Sequence, residues 1–256
     1  TYRVSFQVFP SDRFVLLGPS GCGKSTLLKS VGGYMAPTEG QIRLKGQAIT
    51  EPGPDRMMVF QEFDQLLPWK TVRQNVAFAL EASGRLSGRA ADERAMHYID
   101  KVNLSSFADS YPHMLSGGMK QKLGLCCSLV HDPDLLILDE PTTGVDPLSR
   151  RQFWELVDAM CAERPDMTVL VSTAYMEEAE RFGHLVAMDD GKVIAQGDTG
   201  EIMREAGADT LEAAYVRLLP QDKRPSGDAL VVPAWQDKGE APAIEAHDLT
   251  RRFGDF

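Results

Sequence analysis

A short stretch near the start of the chain has the residue types and spacing of a phosphate-binding loop. Residues 18–26 fit the pattern G-x-x-x-x-G-K-[ST] without a mismatch. Glycines at three positions let the backbone fold around an anion with its N–H groups pointing inward. In such loops the lysine reaches the β- and γ-phosphates, and the hydroxyl after it ligates Mg²⁺. We therefore predict that the chain binds a nucleoside triphosphate. The predicted binding residues are Gly18, Pro19, Ser20, Gly21, Cys22, Gly23, Lys24, Ser25 and Thr26.

The residues around this loop predict a strand before it and a helix after it. An apolar run at residues 14–17 precedes the loop, and Leu27 and Leu28 follow it. A helix that begins here directs its positive N-terminal end at the bound phosphate. The alternative is a Gly-rich turn that matches by accident, which should occur in roughly one chain in a hundred of this length. The strand and helix context makes that alternative weaker still.

Two adjacent carboxylates follow a second apolar strand. Residues 135–138 are all apolar and lead into Asp139 and Glu140. The first carboxylate can hold Mg²⁺, usually through water, and the second can orient an attacking water. Gln61 follows another apolar run and could contact both the metal and the water. A solvated carboxylate pair is the alternative, which the upstream phosphate loop disfavours. The predicted Mg²⁺ residues are Ser25, Gln61 and Asp139, and the predicted catalytic residues are Glu140 and Gln61.

A serine followed by two glycines forms a second candidate anion-binding turn. Residues 115–119 read Leu-Ser-Gly-Gly-Met. At the start of a helix, Gly117 and Gly118 expose backbone N–H groups, and Ser116 can donate to a phosphate oxygen. An ordinary serine N-cap is the alternative, and we would favour it if this segment stood alone.

The amino-acid composition limits the types of protein that this chain can be. The chain has 256 residues, of which 43% are hydrophobic, enough for one large α/β core or for a core with a small subdomain. No apolar run approaches the roughly 18 to 20 residues that a membrane span needs. The net charge of −10 argues against sequence-independent nucleic-acid binding. The four cysteines lack C-x-x-C spacing, which indicates reduced thiols rather than disulfides or zinc.

Short β-rich segments alternate with helical ones, which predicts an α/β fold with a mostly parallel sheet. The predicted strands are residues 4–8, 14–17, 41–44, 57–61, 135–138, 168–172 and 185–188. The predicted helices are residues 24–32, 72 to about 107 with a break at 87–88, 198–206 and 210–219. Asp190-Gly191 predicts a hairpin turn.

The composition also predicts the division of the chain into domains. Residues 1–219 form the predicted main domain, with a helical subdomain at about 62–130. Residues 220–242 are rich in Pro, Gly, Asp and Lys, which is typical of a linker. Residues 243–256 then begin a new strand-like pattern, the predicted start of a second domain.

Together these motifs make residues 4 to about 219 resemble an ATP-binding cassette ATPase, the nucleotide-binding domain of ABC transporters. The resemblance implies a P-loop NTPase fold with a mixed sheet and a helical signature subdomain. It identifies residues 18–25 as Walker A, Gln61 as the Q-loop, 115–119 as the signature, 135–139 as Walker B and 143–146 as the D-loop. It also implies that two cassettes pair head to tail, each closing over its partner's ATP. The residues implied to act across that pair are Ser116, Gly117, Gly118 and Asp146.

The sequence departs from the family pattern at a position beside the γ-phosphate. The family usually places a histidine where this chain has Ala174, in the segment 171–179. Losing one positioned donor costs on the order of a hundredfold in rate. Because Glu140 is present, the resemblance implies good ATP binding with slow turnover, or action beside a complete partner site. Met119 also replaces a commoner glutamine, and we expect little effect from it.

The two halves of the sequence resemble different branches of the family. Residues 14–113 resemble cassettes of nitrate, sulfonate or taurine importers. Residues 115–256 resemble the first cassette of ribosome-associated, exporter-type proteins that fuse two cassettes and a permease. The chain is then either a natural recombinant or a fragment joined near His113, and its ends favour the second interpretation slightly.

We expect an ATP-hydrolysing subunit that drives transport, peripheral on the cytoplasmic face of the cell membrane, with ATP and Mg²⁺ as cofactors. Its expected partners are a second cassette, in the same or a different chain, and a transmembrane permease. The family grips the permease through a surface that corresponds here to Phe63, Leu66, Leu67 and Trp69. One alternative is an ATP-binding switch with little hydrolysis, which Ala174 favours. Another is a ribosome-associated cassette ATPase, which the acidic charge does not favour.

Overall fold

The computed structural model describes residues 1–61, 65–224 and 245–251. Contacts divide the chain into two compact units, Thr1–Arg224 and Pro225–Phe256. The strands and helices given below all lie in the first unit. The part of the predicted linker from residue 225 to 242, residues 243–244 and 252–256 of the predicted second domain, and Phe63 lie outside the described residues.

A six-stranded sheet forms the centre of the first unit. The strands are β1 (Arg13–Leu17), β4 (Arg56–Val59), β5 (Leu135–Asp139), β6 (Thr168–Thr173), β7 (His184–Asp189) and β8 (Lys192–Asp198). Their order across the sheet is β4-β5-β6-β1-β7-β8. Neighbouring strands run parallel except for β8, which pairs antiparallel with β7. Two short strands, β2 (Arg43–Leu44) and β3 (Gln47–Ala48), form a separate antiparallel pair. The predicted mixed α/β sheet is confirmed.

The central strands are apolar because both faces of the sheet are covered. In β1, Val15 and Leu17 join one hydrophobic cluster, whereas Phe14 and Leu16 join the cluster on the other side. Successive side chains of a strand point to opposite faces, so a strand buried on both faces reads as a continuous apolar run. All five residues of β5 are buried in the same way. The polar ends of these strands are therefore the places where chemistry can occur.

The described part of the chain also contains eight α-helices. They are α1 (Lys24–Val31), α2 (Val72–Ala82), α3 (Gly88–Lys101), α4 (Gly117–Leu129), α5 (Pro147–Glu163), α6 (Met176–Ala179), α7 (Thr199–Glu205) and α8 (Leu211–Leu218). Side-chain caps fix several of their starts, including a capping box between Thr71 and Gln74 at α2. No helix among the described residues is long and apolar enough to cross a bilayer.

Most predicted elements are present, but the strand predicted at residues 4–8 is wrong. Val4, Phe6 and Val8 are half-buried and pack against the cluster that contains Phe14, and the rings of Phe6 and Phe14 stack with centroids 5.5 Å apart. The segment has the alternating burial of a strand but pairs with no strand in the described ranges. Periodicity reports burial, whereas a strand also needs a pairing partner.

The hairpin turn predicted between the last two strands is confirmed. Asp190 and Gly191 connect β7 to β8 and have φ angles of 46° and 74°. Positive φ at both central residues is the geometry of a type I′ turn, which matches the twist of the flanking strands.

Candidate nucleotide-binding site

The predicted phosphate loop joins β1 to α1, and its glycines are required by its geometry. A Cβ at Gly18 would lie 2.4 Å from the carbonyl oxygen of Met188, which is closer than Cβ atoms approach. The backbone N–H of Gly18 donates to the carbonyl of Thr173 at 3.3 Å. Gly21 and Gly23 have φ angles of 83° and 99°, which residues with side chains rarely adopt. The loop is thus held against the ends of β6 and β7.

Lys24 connects the loop to Glu140. Its side chain is only 3% exposed, and its Nζ donates to the carbonyl oxygens of Gly18 at 2.7 Å and Pro19 at 3.1 Å. The same Nζ lies 3.1 Å from Oε1 of Glu140. A buried ammonium needs such partners because it has lost its hydration. The predicted loop lysine and the predicted catalytic carboxylate therefore meet in the folded chain.

Ser25 and Asp139 also meet, beside Ser172. The Ser25 hydroxyl donates to Oδ1 of Asp139 at 3.0 Å, and the Ser172 hydroxyl donates to the same oxygen at 2.6 Å. Asp139 ends β5 directly opposite Ser172 of β6 in the parallel pair. The backbone N–H of Glu140 donates to Ser172 Oγ at 3.0 Å. The strand register therefore brings the oxygen atoms of three segments to one point.

The backbone at Glu140 turns sharply. Its φ angle is 44°, an uncommon value for a residue other than glycine, and the residue is 7% exposed. Thr143 Oγ1 donates to Oε2 of Glu140 at 3.1 Å, while Oε1 faces Lys24. Both carboxylate oxygens are therefore oriented. Unusual φ values that the surrounding contacts hold in place occur often at functional sites.

The donor atoms in this region fit Mg²⁺. Mg²⁺ prefers oxygen ligands and usually combines one or two carboxylates with water and substrate phosphates. The Ser25 hydroxyl and the Asp139 carboxylate supply such oxygens next to the phosphate loop. In the described ranges no group of three or more His, Cys, Asp or Glu side chains could hold a metal alone. A magnesium ion here would rely on the nucleotide for its other ligands.

Gln61 lies at the same end of the sheet as the carboxylates but does not contact them. It is two residues beyond the end of β4, whose Val59 pairs with Leu138 of β5. Its side chain is exposed, and no hydrogen bond among the described residues joins it to Ser25, Asp139 or Glu140. Its predicted roles in Mg²⁺ binding and catalysis remain predictions.

The signature turn and Asp146 lie apart from the Lys24–Glu140 contact. Ser116 caps α4, where its Oγ accepts from the N–H of Met119 at 3.3 Å. Asp146 caps α5, and hydrogen bonds from Ser149 lower the pKa of its carboxyl group. No hydrogen bond in the part of the chain described here links Ser116, Gly117, Gly118 or Asp146 to the phosphate loop.

The starts of α4 and α5 touch each other instead. A Cβ at Gly118 would lie 2.7 Å from Cβ of Ser149, so the second signature glycine permits this close approach. Ser116 and Gly117 are exposed beside it. The two segments implied to act across a dimer therefore form one continuous feature on the surface of the first unit.

Cys22, inside the phosphate loop, has no chemical role in the described geometry. It is 3% exposed, and burial raises the pKa of its thiol, an effect that the nearby Lys24 partly offsets. A raised thiol pKa disfavours the nucleophilic thiolate. Cys22 is a packing residue, and a Cβ at Gly18 would come within 2.8 Å of its sulfur.

Sequence reasoning missed Ser172 and gave no role to Thr173, although both lie at the site. They end β6, and polar residues at the carboxyl end of a central parallel strand are the available signal. Ala174 follows them and is exposed. It has no polar side-chain atom, so it cannot supply the donor that the resemblance implies at this position.

A family model described as "ABC transporter" matches residues 2–143. The taurine import ATP-binding protein TauB of Rhizobium johnstonii is 39% identical over 222 residues, 86% of this chain and 83% of that protein. The Nod factor export ATP-binding protein I of Paraburkholderia xenovorans is 42% identical, covering 82% of this chain and 69% of that protein. The nitrate import ATP-binding protein NrtC of Synechococcus elongatus is 41% identical, but the chain spans only 30% of it.

Solved structures show the same fold. A post-hydrolysis dimer of an ATP-binding cassette bound to ADP and Pi is 27% identical, with a TM-score of 0.69, covering 75% of this chain and 88% of that one. An ATP-binding subunit of an ABC transporter is 29% identical, with a TM-score of 0.72, covering 84% of this chain and 91% of that one. The family match, the relatives and these structures lead to one conclusion: the chain belongs to the ABC transporter family of ATP-binding proteins.

Proposed function

We propose that the chain binds ATP with Mg²⁺, hydrolyses it, and powers transport across a membrane as one of two paired cassettes. The observation that carries this proposal is the convergence of Lys24, Ser25, Asp139 and Glu140 at the ends of β1 and β5. These are the side chains that phosphate binding, Mg²⁺ binding and activation of water require. Membership of the family supports the same assignment.

Each of these residues has a separate proposed role. The Lys24 ammonium would exchange Glu140 for β- and γ-phosphate oxygens, because a phosphate chain carries more negative charge than one carboxylate. Glu140, released from that contact and still hydrogen-bonded by Thr143, would orient the attacking water. Ser25 and Asp139 would hold Mg²⁺, which when bound neutralises charge on the phosphates. Gln61 would complete this set from the end of β4.

Hydrolysis is proposed to need a second cassette. Ser116 and Gly117 are exposed at the start of α4, beside the α5 start that carries Asp146. A helix start with free N–H groups suits a phosphate that a second chain presents. The related cassette bound to ADP and Pi is described as a dimer, which supports this arrangement. The partner would be a second copy or a different cassette.

A second candidate function is an ATP-binding switch with little hydrolysis. Ala174 favours it, because alanine cannot donate to the γ-phosphate. Glu140, oriented by two partners, favours hydrolysis. We therefore propose hydrolysis that is slow for the family. The net charge of −10 does not favour a ribosome-associated cassette.

The proposed location is the cytoplasmic face of the cell membrane, in contact with a permease. Trp69 is 69% exposed just before α2 and would contact that partner. The names of the relatives include taurine import, nitrate import and Nod factor export, so both directions of transport occur among them. The transported substrate would be selected by the permease.

The first prediction tests the phosphate loop. Lys24→Ala removes the buried cation from the proposed phosphate site, so ATP affinity should fall at least tenfold, about 1.4 kcal/mol. Lys29→Ala, in the last turn of the same helix, is the matched control and should bind ATP like the wild type. A titration of both variants with ATP and Mg²⁺ measures this. Equal affinity for all three proteins would reject the phosphate-loop assignment.

A further inference from the structure

A buried carboxylate outside the proposed ATP site contacts three segments that lead to it. Glu178 lies in α6 and is 3% exposed. A carboxylate that has lost its hydration is unfavourable unless hydrogen-bond donors surround it. The hydrogen-bond donors around Glu178 therefore explain how its carboxylate is stabilised in this buried position.

Three side chains donate to the carboxylate of Glu178. Thr142 Oγ1 and Trp154 Nε1 both donate to Oε1, the second at 3.1 Å. Thr173 Oγ1 donates to Oε2 at 2.7 Å. The Nε atom of Arg150 lies 3.7 Å from Oε1. Both oxygens are occupied, and the indole N–H can only donate, so an acceptor is required here.

The donors come from different parts of the site. Thr142 lies two residues after Glu140, in the loop that follows β5. Thr173 ends β6, next to Ala174, and its carbonyl accepts from the loop residue Gly18. Trp154 belongs to α5, the helix that begins after Asp146. One carboxylate thus joins the Glu140 loop, the end of β6 and the helix after the D-loop.

The link from Thr142 to Glu140 is short. The carbonyl of Thr142 accepts from the N–H of Val145 at 3.1 Å, and the carbonyl of Glu140 accepts from the N–H of Thr143 at 3.2 Å. Thr143 Oγ1 in turn donates to the Glu140 carboxylate. Displacing Thr142 would therefore move the turn that sets the direction of the Glu140 side chain.

We propose that Glu178 is a positioning residue that holds the Glu140 carboxylate in its working orientation through Thr142. This inference rests on the proposed function, in which Glu140 orients the attacking water. The proposed nucleotide binding depends instead on the phosphate loop, to which Glu178 makes no hydrogen bond in the described part of the chain. Loss of the Glu178 contacts should therefore reduce the rate of hydrolysis more than the affinity for ATP.

The test compares two substitutions that remove the contact from either side. Glu178→Gln places an amide N–H₂ among donors, and Thr142→Val removes one donor while keeping the side-chain shape. Each should lower kcat tenfold or more and leave KM for ATP within about twofold, because a small misplacement of a reacting group costs rate. Thr142→Ser keeps the hydroxyl and should retain kcat near the wild-type value. Glu177→Gln, at the exposed neighbouring position, is the matched control.

These variants test the role of Glu178 whether or not the wild type hydrolyses ATP. If Glu178→Gln does not fold, Thr142→Val and Thr142→Ser carry the comparison. A folded Thr142→Val variant with wild-type kcat, or with KM raised as much as kcat is lowered, overturns the inference. If the wild type shows no turnover, the proposed function fails, and amide hydrogen exchange of residues 140–146 becomes the criterion. Faster exchange there in Thr142→Val supports positioning, and unchanged exchange overturns it.

Discussion

Glu140 and Lys24 form a buried ion pair at the proposed ATP site. Each is almost fully buried, and each also has partners within its own segment: loop carbonyls for Lys24 and Thr143 for Glu140. The pair can therefore separate without leaving either group alone in a buried environment. That property suits a site in which a nucleotide phosphate replaces one member of an ion pair.

Ala174 is the residue whose substitution distinguishes the two candidate functions, ATP hydrolysis and an ATP-binding switch. Ala174→His places an imidazole donor after Thr173, at an exposed position. The donor would act on charge that develops at the γ-phosphate during transfer, so turnover should rise roughly tenfold. ATP affinity should change little. ATPase assays and ATP titrations of the variant measure both quantities. An unchanged rate in a protein that still binds ATP would favour the switch.

Candidate site residues could be predicted from the sequence where they belong to a contiguous motif. Lys24 and Ser25 belong to one contiguous motif, and Asp139 and Glu140 end an apolar run, so their types and positions indicate their chemistry. Ser172 and Glu178 carry no such pattern. Their contacts arise from the register of β5 on β6 and from the packing of α6, which a single sequence does not specify.

At the level of elements, the contact between the phosphate loop and the end of β7 is unusually close. Gly18→Ala would place a Cβ 2.4 Å from the Met188 carbonyl, a backbone atom that cannot rotate away. Overpacking of this kind costs about 1–3 kcal/mol, so the variant should unfold at lower denaturant concentration. Gly183→Ala is the control, because its added Cβ would have no atom of the described residues within 4 Å. Equal midpoints for the two variants in a denaturant titration would contradict this account.

The helical segment α2–α3 contacts the rest of the unit at the end of α4. Arg94 Nε donates to the carbonyl of Val130 at 3.0 Å, and Arg85 donates to the carbonyl of His131. His131 is 3% exposed, and its Nδ1 has no hydrogen-bond partner among the residues that the structure describes. Burial lowers the pKa of its imidazole, and the charges of Arg85 and Arg94 lower it further, while Asp132 opposes them.

This lowered pKa predicts a pH dependence of stability. Below about pH 6.5, the ordinary histidine pKa, the unfolded chain takes up a proton that folded His131 resists, so stability should fall as the pH decreases. His131→Gln removes the titrating group, and its Tm should fall less between pH 7.5 and pH 6 than that of the wild type. Thermal melts at both pH values test this. Parallel losses of Tm in the two proteins would assign the pH dependence to other groups.

Several elements follow from local patterns in the sequence, although α5, which has 17 residues and is capped by Asp146, is not among the predicted helices. The apolar runs of β1, β5, β6 and β7 and the helices α7 and α8 lie where the sequence predicts them. Residues 4–8 show the limit, because alternate burial alone does not create a hydrogen-bonded strand. Strand β4 also ends at Val59, two residues before its predicted end at Gln61.

In the first unit, the last residues pack near the phosphate loop. Tyr215 in α8 donates to the carbonyl of Met188 at 3.0 Å, and Lys223 contacts Asp189 at 2.6 Å. Burial raises the pKa of Tyr215 to about 12, with smaller contributions from Asp189 and Cys22. Residues 220–224, which the composition places in a linker, belong to the first unit by these contacts.

The proposed head-to-tail pairing can be tested in dimers that contain two different variants. Lys24→Ala removes the phosphate-loop side of a site, whereas Ser116→Arg blocks the signature side. In a mixed dimer, one site carries both changes and the other carries neither. Half of the randomly paired dimers are mixed and have one intact site of two, so an equal mixture should regain about a quarter of wild-type ATPase activity if the sites act independently. Each variant alone should show almost none.

The control for this mixture follows from the contact between Lys24 and Glu140. Their 3.1 Å separation within one chain assigns both residues to the same proposed site. A mixture of Lys24→Ala with Glu140→Gln therefore leaves every site with one defect and should regain nothing. ATPase assays over a range of mixing ratios compare the two pairs of variants. Recovery in the control, or none in the Ser116→Arg mixture when mixed dimers have formed, would contradict pairing between independent head-to-tail sites.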